Sequence, residues 1–207
     1  MSRKSLLLTA FLGLVALGIT WIAALPADIS GLEEGGFRLF NNLPDWIEFP
    51  GWPIMQLGSI LAVPIVAITC AILFRDWWRI PIQVTAAGVG AWLIAKVLKD
   101  LVDRGRPEAF LSDVNLRPAW DGLGFPSGHS AVAFAIAVVL VAAVAPRMRT
   151  TIWTIAVLTG LLRIYTGAHF PLDVVGGWGL GAAVGAIVEL SWRRIRQQSR
   201  SVQAGTL

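Results

Sequence analysis

The stretch PSGHSAVAFAIAVVLVAAVAP, residues 126–146, joins a short polar motif directly to an apolar run. That run has about the twenty residues needed to cross a bilayer. Pro126 sets the approach to a helix, and Ser127 and Gly128 fall where its first backbone N–H groups are unpaired and point at anions. His129 follows at the helix start. Working outward, five more apolar runs fall near 5–25, 54–74, 80–100, 150–168 and 172–192. Each is expected to be helical, because backbone groups in lipid must be satisfied within their own segment.

Composition agrees. The 207 residues are 56% hydrophobic and only 14% charged, with a mean hydropathy of +0.67, where a soluble domain carries about a quarter charged residues. The sequence therefore predicts an all-α integral membrane protein of six transmembrane helices in one bundle, a single domain over 1–207. Residues 5–25, led by Arg3 and Lys4, read as a retained signal anchor and first span. Cys70 is the one cysteine and lies inside an apolar run, which excludes a disulfide framework or thiolate cluster. The net charge of +4 is dispersed among apolar segments with no aromatic-interleaved basic face, so nucleic acid is not an expected partner.

Orientation follows from the cations. One side collects Arg3, Lys4, Arg75, Arg79, Arg147, Arg149, Arg193, Arg194, Arg196 and Arg200. The other carries the 26–53 loop, where Arg38 stands against five acids, the mixed-charge 101–127 loop and the short turn near 165–173. The positive-inside rule places both termini in the cytoplasm. Trp52, Trp77, Trp78 and Trp192 fall near span ends, where indoles favour the interface. The Arg75–Arg79 stretch separates spans two and three. The 26–53 loop either holds a short interfacial helix or is an ordinary solvated loop. Gly177, Gly181 and Gly185 recur every four residues, which suits close packing inside this bundle better than dimerisation. The tail 197–207 is expected to be disordered.

Three motifs then land on the outer face at similar depth: Lys99 through Arg106-Pro107, Pro126 through His129, and Arg163, His169 and Asp173. Ionisable groups at such positions point to function. Lys99, Arg106 and Arg163 offer three cations for phosphate oxygens, Arg in bidentate fashion and Lys as a point charge. His169 and Asp173 are about one helical turn apart, so the carboxylate can fix one ring nitrogen and leave the other to attack. His129, the only other histidine, comes from a different helix start and suits a general acid. Lys96 and Arg104 read as structural or field charges.

Lys-x6-Arg-Pro, then Pro-Ser-Gly-His, then Arg-x5-His-x3-Asp, spread over Lys99–Asp173, resembles the type-2 phosphatidic acid phosphatase superfamily, in its membrane lipid phosphate phosphatase branch. The resemblance implies His169 as the nucleophile of a phosphohistidine, Asp173 as its orienting partner and His129 as the acid. It implies Lys99, Arg106, Ser127, Gly128 and Arg163 as the phosphate-binding set, with no metal and no cofactor. Leu162 departs from the family pattern, which usually has Ser there, and the loss of that hydroxyl is expected to tune rate or substrate preference.

The expected activity is hydrolysis of a membrane lipid phosphate at the outer leaflet of a bacterial inner membrane. Compact bacterial members of the family act on undecaprenyl pyrophosphate, phosphatidylglycerophosphate or phosphatidic acid, and the outward site favours the first. Phosphotransfer to a lipid or sugar hydroxyl is the alternative that keeps the phosphohistidine. A transporter would spread ionisable groups along a mid-membrane path, and a haloperoxidase normally has a larger soluble scaffold.

Overall fold

The computed structural model describes residues 1–25, 28–74, 78–117 and 121–205, and the side chains among these up to 199 and at 201. Arg75, Asp76 and Trp77, part of the expected break after the second span, lie outside the described residues. The described chain is all-helical: α1 (Arg3–Ala24), α2 (Gly31–Asn41), α3 (Glu48–Gln56), α4 (Ala62–Leu73), α5 (Arg79–Val102), α6 (Gly128–Ala143), α7 (Pro146–Tyr165) and α8 (Pro171–Gly205). Short 3-10 turns occupy Asp45–Ile47 and Pro107–Ala109.

α6 is the hub. Its alanines and valines, from Ala131 to Val141, are buried on nearly every face, and α5, α7 and α8 pack around it. Small residues make this possible. A Cβ on Gly177 or Gly181 would run into the backbone oxygens of Ser127 and Ala131, and one on Gly185 would lie 2.6 Å from the oxygen of Ala135. Without a hydrophobic gradient between helices in lipid, such contact distances carry the packing energy. α1 closes against α8 in the same manner, Gly13 and Gly179 each facing the other's carbonyl oxygen.

Among the described residues, three helices have the length and apolarity of a membrane crossing: α1, the segment from α5 to Ala109, and α8 as far as Ser199. The expected second span is not one helix. It divides into α3 and α4 at residues 57–61, and α4, at 12 residues, is about 18 Å long, short of a hydrocarbon core of roughly 30 Å. The physical reason is local. Gly58 tucks under the carbonyl of His129 and the methyl of Thr159, and the Ser59 hydroxyl accepts from the N–H of Ala62, starting the chain afresh at 3.2 Å. Pro64 then falls in the first turn of α4, where its missing donor is harmless.

Of the two readings of the 26–53 region, the structure takes the one with a short helix: Ser30 caps α2 through the N–H of Glu33 (3.2 Å). α2 buries Glu33, Phe37 and Asn41 on one face and leaves Leu32 and Leu39 exposed. The tail expected to be disordered from 197 is helical as far as it is described, since α8 runs on to Gly205. Arg193 to Gln198 are good helix formers with no Gly or Pro among them, so nothing stops the helix there.

α5 and α8 are pinned at the end remote from the motifs. Buried Glu189 accepts from Arg79 Nη2 (3.2 Å), Gln83 Nε2 (2.5 Å) and Arg193 Nε (2.8 Å). Arg193 also donates to the carbonyl of Met1 (3.0 Å). Nearby, Trp78 and Trp192 pack ring on ring, centroids 5.4 Å apart.

Candidate active site

The other end of the bundle gathers the three motifs. Ser127 caps α6, its hydroxyl accepting from the Ser130 hydroxyl at 2.9 Å. Its backbone N–H donates to the carbonyl of Asp173 at 2.8 Å, which ties the start of α6 to the start of α8. Nothing lies within 4 Å of where a Gly128 Cβ would stand, so a ligand can approach this helix start closely.

The chain between α7 and α8 places the nucleophile candidate. Arg163, in the last turn of α7, accepts through its carbonyl from the N–H groups of Ala168 (3.1 Å) and His169 (3.2 Å). Gly167 turns the chain at φ +76°, and a Cβ there would meet the Asn115 oxygen at 2.8 Å, so only glycine fits. His169 is thereby fixed with Nδ1 3.4 Å from Asp173 Oδ2, at the long end of hydrogen bonding. The same Oδ2 accepts from the N–H of Phe170 at 2.9 Å. Nε2 is then the nitrogen left for substrate. Burial, reinforced by Lys99, Arg163, Arg106 and His129, holds the His169 imidazole well below its usual pKa of 6.5. It is neutral at neutral pH, the form that can attack.

The cations are held as rigidly. Lys99 donates to the carbonyls of Leu123 and, at 2.9 Å, Gly124. Arg106 spends Nε, Nη1 and Nη2 on the carbonyls of Gly122 (3.0 Å), Ala168 (2.8 Å) and Asp121 (2.9 Å). It thus braces the loop before α6 against the residue preceding His169. Arg163 is buried, with Nη1 3.6 Å from Met55 Sδ on α3.

One cavity of about 390 Å³ joins them. Lys99, Arg106, Gly128, His129, Arg163 and His169 line it, together with Lys96 and Trp92 of α5 and the 56–61 turn between α3 and α4. Ser127 and Asp173 stand behind that lining. Both are fully buried, and they shape the site through Gly128 and His169.

Two participants escaped the sequence reading. Arg104 bridges two buried carboxylates, Asp173 Oδ1 at 3.0 Å and Glu33 Oε2 at 2.7 Å, while its guanidinium lies 5.0 Å from the Phe170 ring. It occupies one oxygen of Asp173 and leaves the other to His169. The only hint in the sequence was an Arg two residues before Arg106, and its partner Glu33 is 71 positions away. The second is the α3–α4 turn, which read as part of the second span near its start. Leu162 is also clarified: a Cβ on Gly51 would sit 2.7 Å from its Cδ2, so it packs against α3. It is not among the residues lining the cavity.

A family profile, that of the PAP2 superfamily, matches residues 82–197, which takes in every element of this site except the α2 and α3–α4 contributions. The chain belongs to the PAP2 superfamily. Among PAP2 relatives, an undecaprenyl-diphosphatase of Sulfolobus acidocaldarius is 31% identical over 122 residues, 58% of each chain. The crystal structure of Aquifex aeolicus LpxE superposes with a TM-score of 0.72 at 31% identity, covering 78% of this chain and 97% of that one. A transmembrane PAP2-type phosphatidylglycerolphosphate phosphatase of Bacillus subtilis superposes at 0.68, covering 87% and 96%. At 23% identity, that second match speaks for the fold alone. The PAP2 fold is thus present as a membrane bundle, and these Sulfolobus and Bacillus proteins are both named as phosphatases.

Proposed function

We propose that this protein is a metal-independent phosphatase of membrane lipid phosphates, with undecaprenyl pyrophosphate as its substrate and undecaprenyl phosphate as its product. The observation that carries this is the convergence of both histidines with Lys99, Arg106 and Arg163 on one cavity at the end of a membrane bundle. The diphosphate is favoured by the outward orientation proposed below and by likeness to a protein named for that activity.

His169 Nε2 attacks the terminal phosphorus in line, forming the N–P bond as the bond to the bridging oxygen breaks, and the electron pair leaves with the lipid phosphate. Lys99, Arg106, Arg163 and the N–H groups opening α6 hold the equatorial oxygens. Asp173 stabilises the imidazole as it becomes cationic. His129 protonates a leaving oxygen that needs a proton, then takes one from the water that cleaves the N–P bond and releases phosphate.

Six crossings, formed by α1, α3 with α4, α5, α6, α7 and α8, would set both termini in the cytoplasm and the cavity at the outer face of a bacterial inner membrane. The distribution of Lys and Arg supports this, as does the Trp78–Trp192 pair at the opposite end. The test is phosphate release in detergent micelles containing EDTA, with undecaprenyl pyrophosphate, phosphatidylglycerophosphate and phosphatidic acid compared. Release from the first above the other two, absent in His169→Ala, is the expected result. Preference for either other lipid would overturn the substrate, and full activity of His169→Ala would overturn the mechanism.

A further inference from the structure

The cavity holds more positive charge than one phosphate needs. Besides Lys99, Arg106 and Arg163 it is lined by Lys96, and no carboxylate occurs among its described lining residues. Lys96 is exposed, with Nζ 4.7 Å from the centroid of the Trp92 ring. It lies three residues before Lys99 on α5, hence on the same side of the helix and about 4.5 Å further from the Val102 end, which in the proposed topology is toward the membrane interior. Its ammonium is a fourth cation on a cavity whose described lining carries no carboxylate, a setting that favours a second anionic group.

We propose that Lys96 forms a second phosphate subsite, holding the lipid-linked phosphate of a diphosphate substrate. This rests on the reading of the protein as a lipid diphosphatase and names the residue that makes the diphosphate preferred. The geometry is directional. A lipid diphosphate entering from the bilayer puts its terminal phosphorus at His169 and its other phosphate one bridging oxygen nearer the tail. Lys96 is displaced from Lys99 in that same direction. When the bridging P–O bond breaks, the electron pair and the new negative charge appear on that phosphate. A cation placed there stabilises the transition state more than the ground state. A monoester leaves as an alcohol, puts no phosphate at this position, and relies on proton donation from His129. Trp92, in contact with the lysine, lines the same wall and keeps the ammonium oriented toward the cavity.

The test compares undecaprenyl pyrophosphate with a lipid monophosphate, phosphatidic acid, in the same micelles, using wild type, Lys96→Gln and Lys96→Arg. Lys96→Gln should lose on the order of 10²-fold in kcat/KM on the pyrophosphate. It should stay within about fivefold on the monophosphate, as for loss of an exposed charge, and Lys96→Arg should recover most of the loss. Retained monophosphate turnover shows that the variant is folded. Equal losses on both lipids, or none on either, would overturn the subsite while leaving the diphosphatase reading intact. A wild type that cleaves the monophosphate and leaves the pyrophosphate untouched would overturn both.

Discussion

Asp173 divides its two oxygens between different tasks: Oδ1 faces Arg104 and Oδ2 faces His169 and the Phe170 N–H. A carboxylate held from behind in this way cannot rotate away from the imidazole. Arg104→Lys keeps the charge and loses the fork that spans two carboxylates. It should lower kcat by about 10- to 100-fold, the usual range for a partner that orients a reacting group, and leave KM nearly unchanged. Steady-state kinetics on one lipid checks this, and a rise in KM alone would assign Arg104 to substrate binding instead. His129→Ala should cost more on phosphatidic acid than on undecaprenyl pyrophosphate, because an alkoxide needs a proton and a phosphate hardly does. Parallel assays of the two lipids decide it. The buried, neutral His169 also links folding to pH. Below about pH 6.5 the unfolded chain protonates this imidazole and the folded protein does not, so stability is full above that pH and falls on acidification. Melting curves between about pH 7 and pH 5 should show a shallower decline in His169→Asn than in wild type. The residues proposed to carry the phosphate chemistry could be singled out together because their spacing is local within three motifs. Arg104 could not, since its meaning depends on Glu33, which nothing but the folded chain brings near.

At the scale of elements, α6 and α8 are held by glycine against backbone oxygen, a contact that tolerates no added carbon. Gly181→Val should destabilise the protein by about 1–3 kcal/mol through overpacking, lowering Tm in detergent by roughly 2–4 °C for each kcal/mol. Gly18→Ala, where nothing lies within 4 Å of the added carbon, serves as the neutral control. α1, α5, α6 and α7 follow the apolar runs closely, because in lipid the length of a run nearly dictates the length of its helix. The second run misled for the same reason. Averaged hydropathy stays apolar across residues 54–74 despite Gln56, Gly58 and Ser59, and it cannot register that Gly58 must pass beneath the His129 carbonyl. That detour places Gln56, Ser59 and Ile60 on the cavity wall. α2 was ambiguous because its buried face carries Glu33 and Asn41, whose partners lie on other segments, at Arg104 and Asn115.

Across the whole molecule, the site occupies one end of the bundle and the Glu189 cluster the other. Glu189→Gln should lower Tm by several degrees, since it removes the buried charge, 1% exposed, that faces the partly exposed Arg79 and Arg193. It should leave kcat unchanged, and a comparable loss of turnover would show that the two ends communicate. Both clusters join the same two segments: Arg79 opens α5 and meets Glu189 far along α8, while Arg104, just past the end of α5, meets Asp173 at its beginning. The antiparallel pair is therefore gauged at both extremities, like a ruler fixed at two marks. One residue inserted between Asp173 and Glu189 would turn the two carboxylates by about 100° relative to each other, so that only one could keep its arginine. Length in this part of the protein is quantised: the membrane it fits can thicken or thin over evolutionary time only if both helices change together, by nearly whole turns.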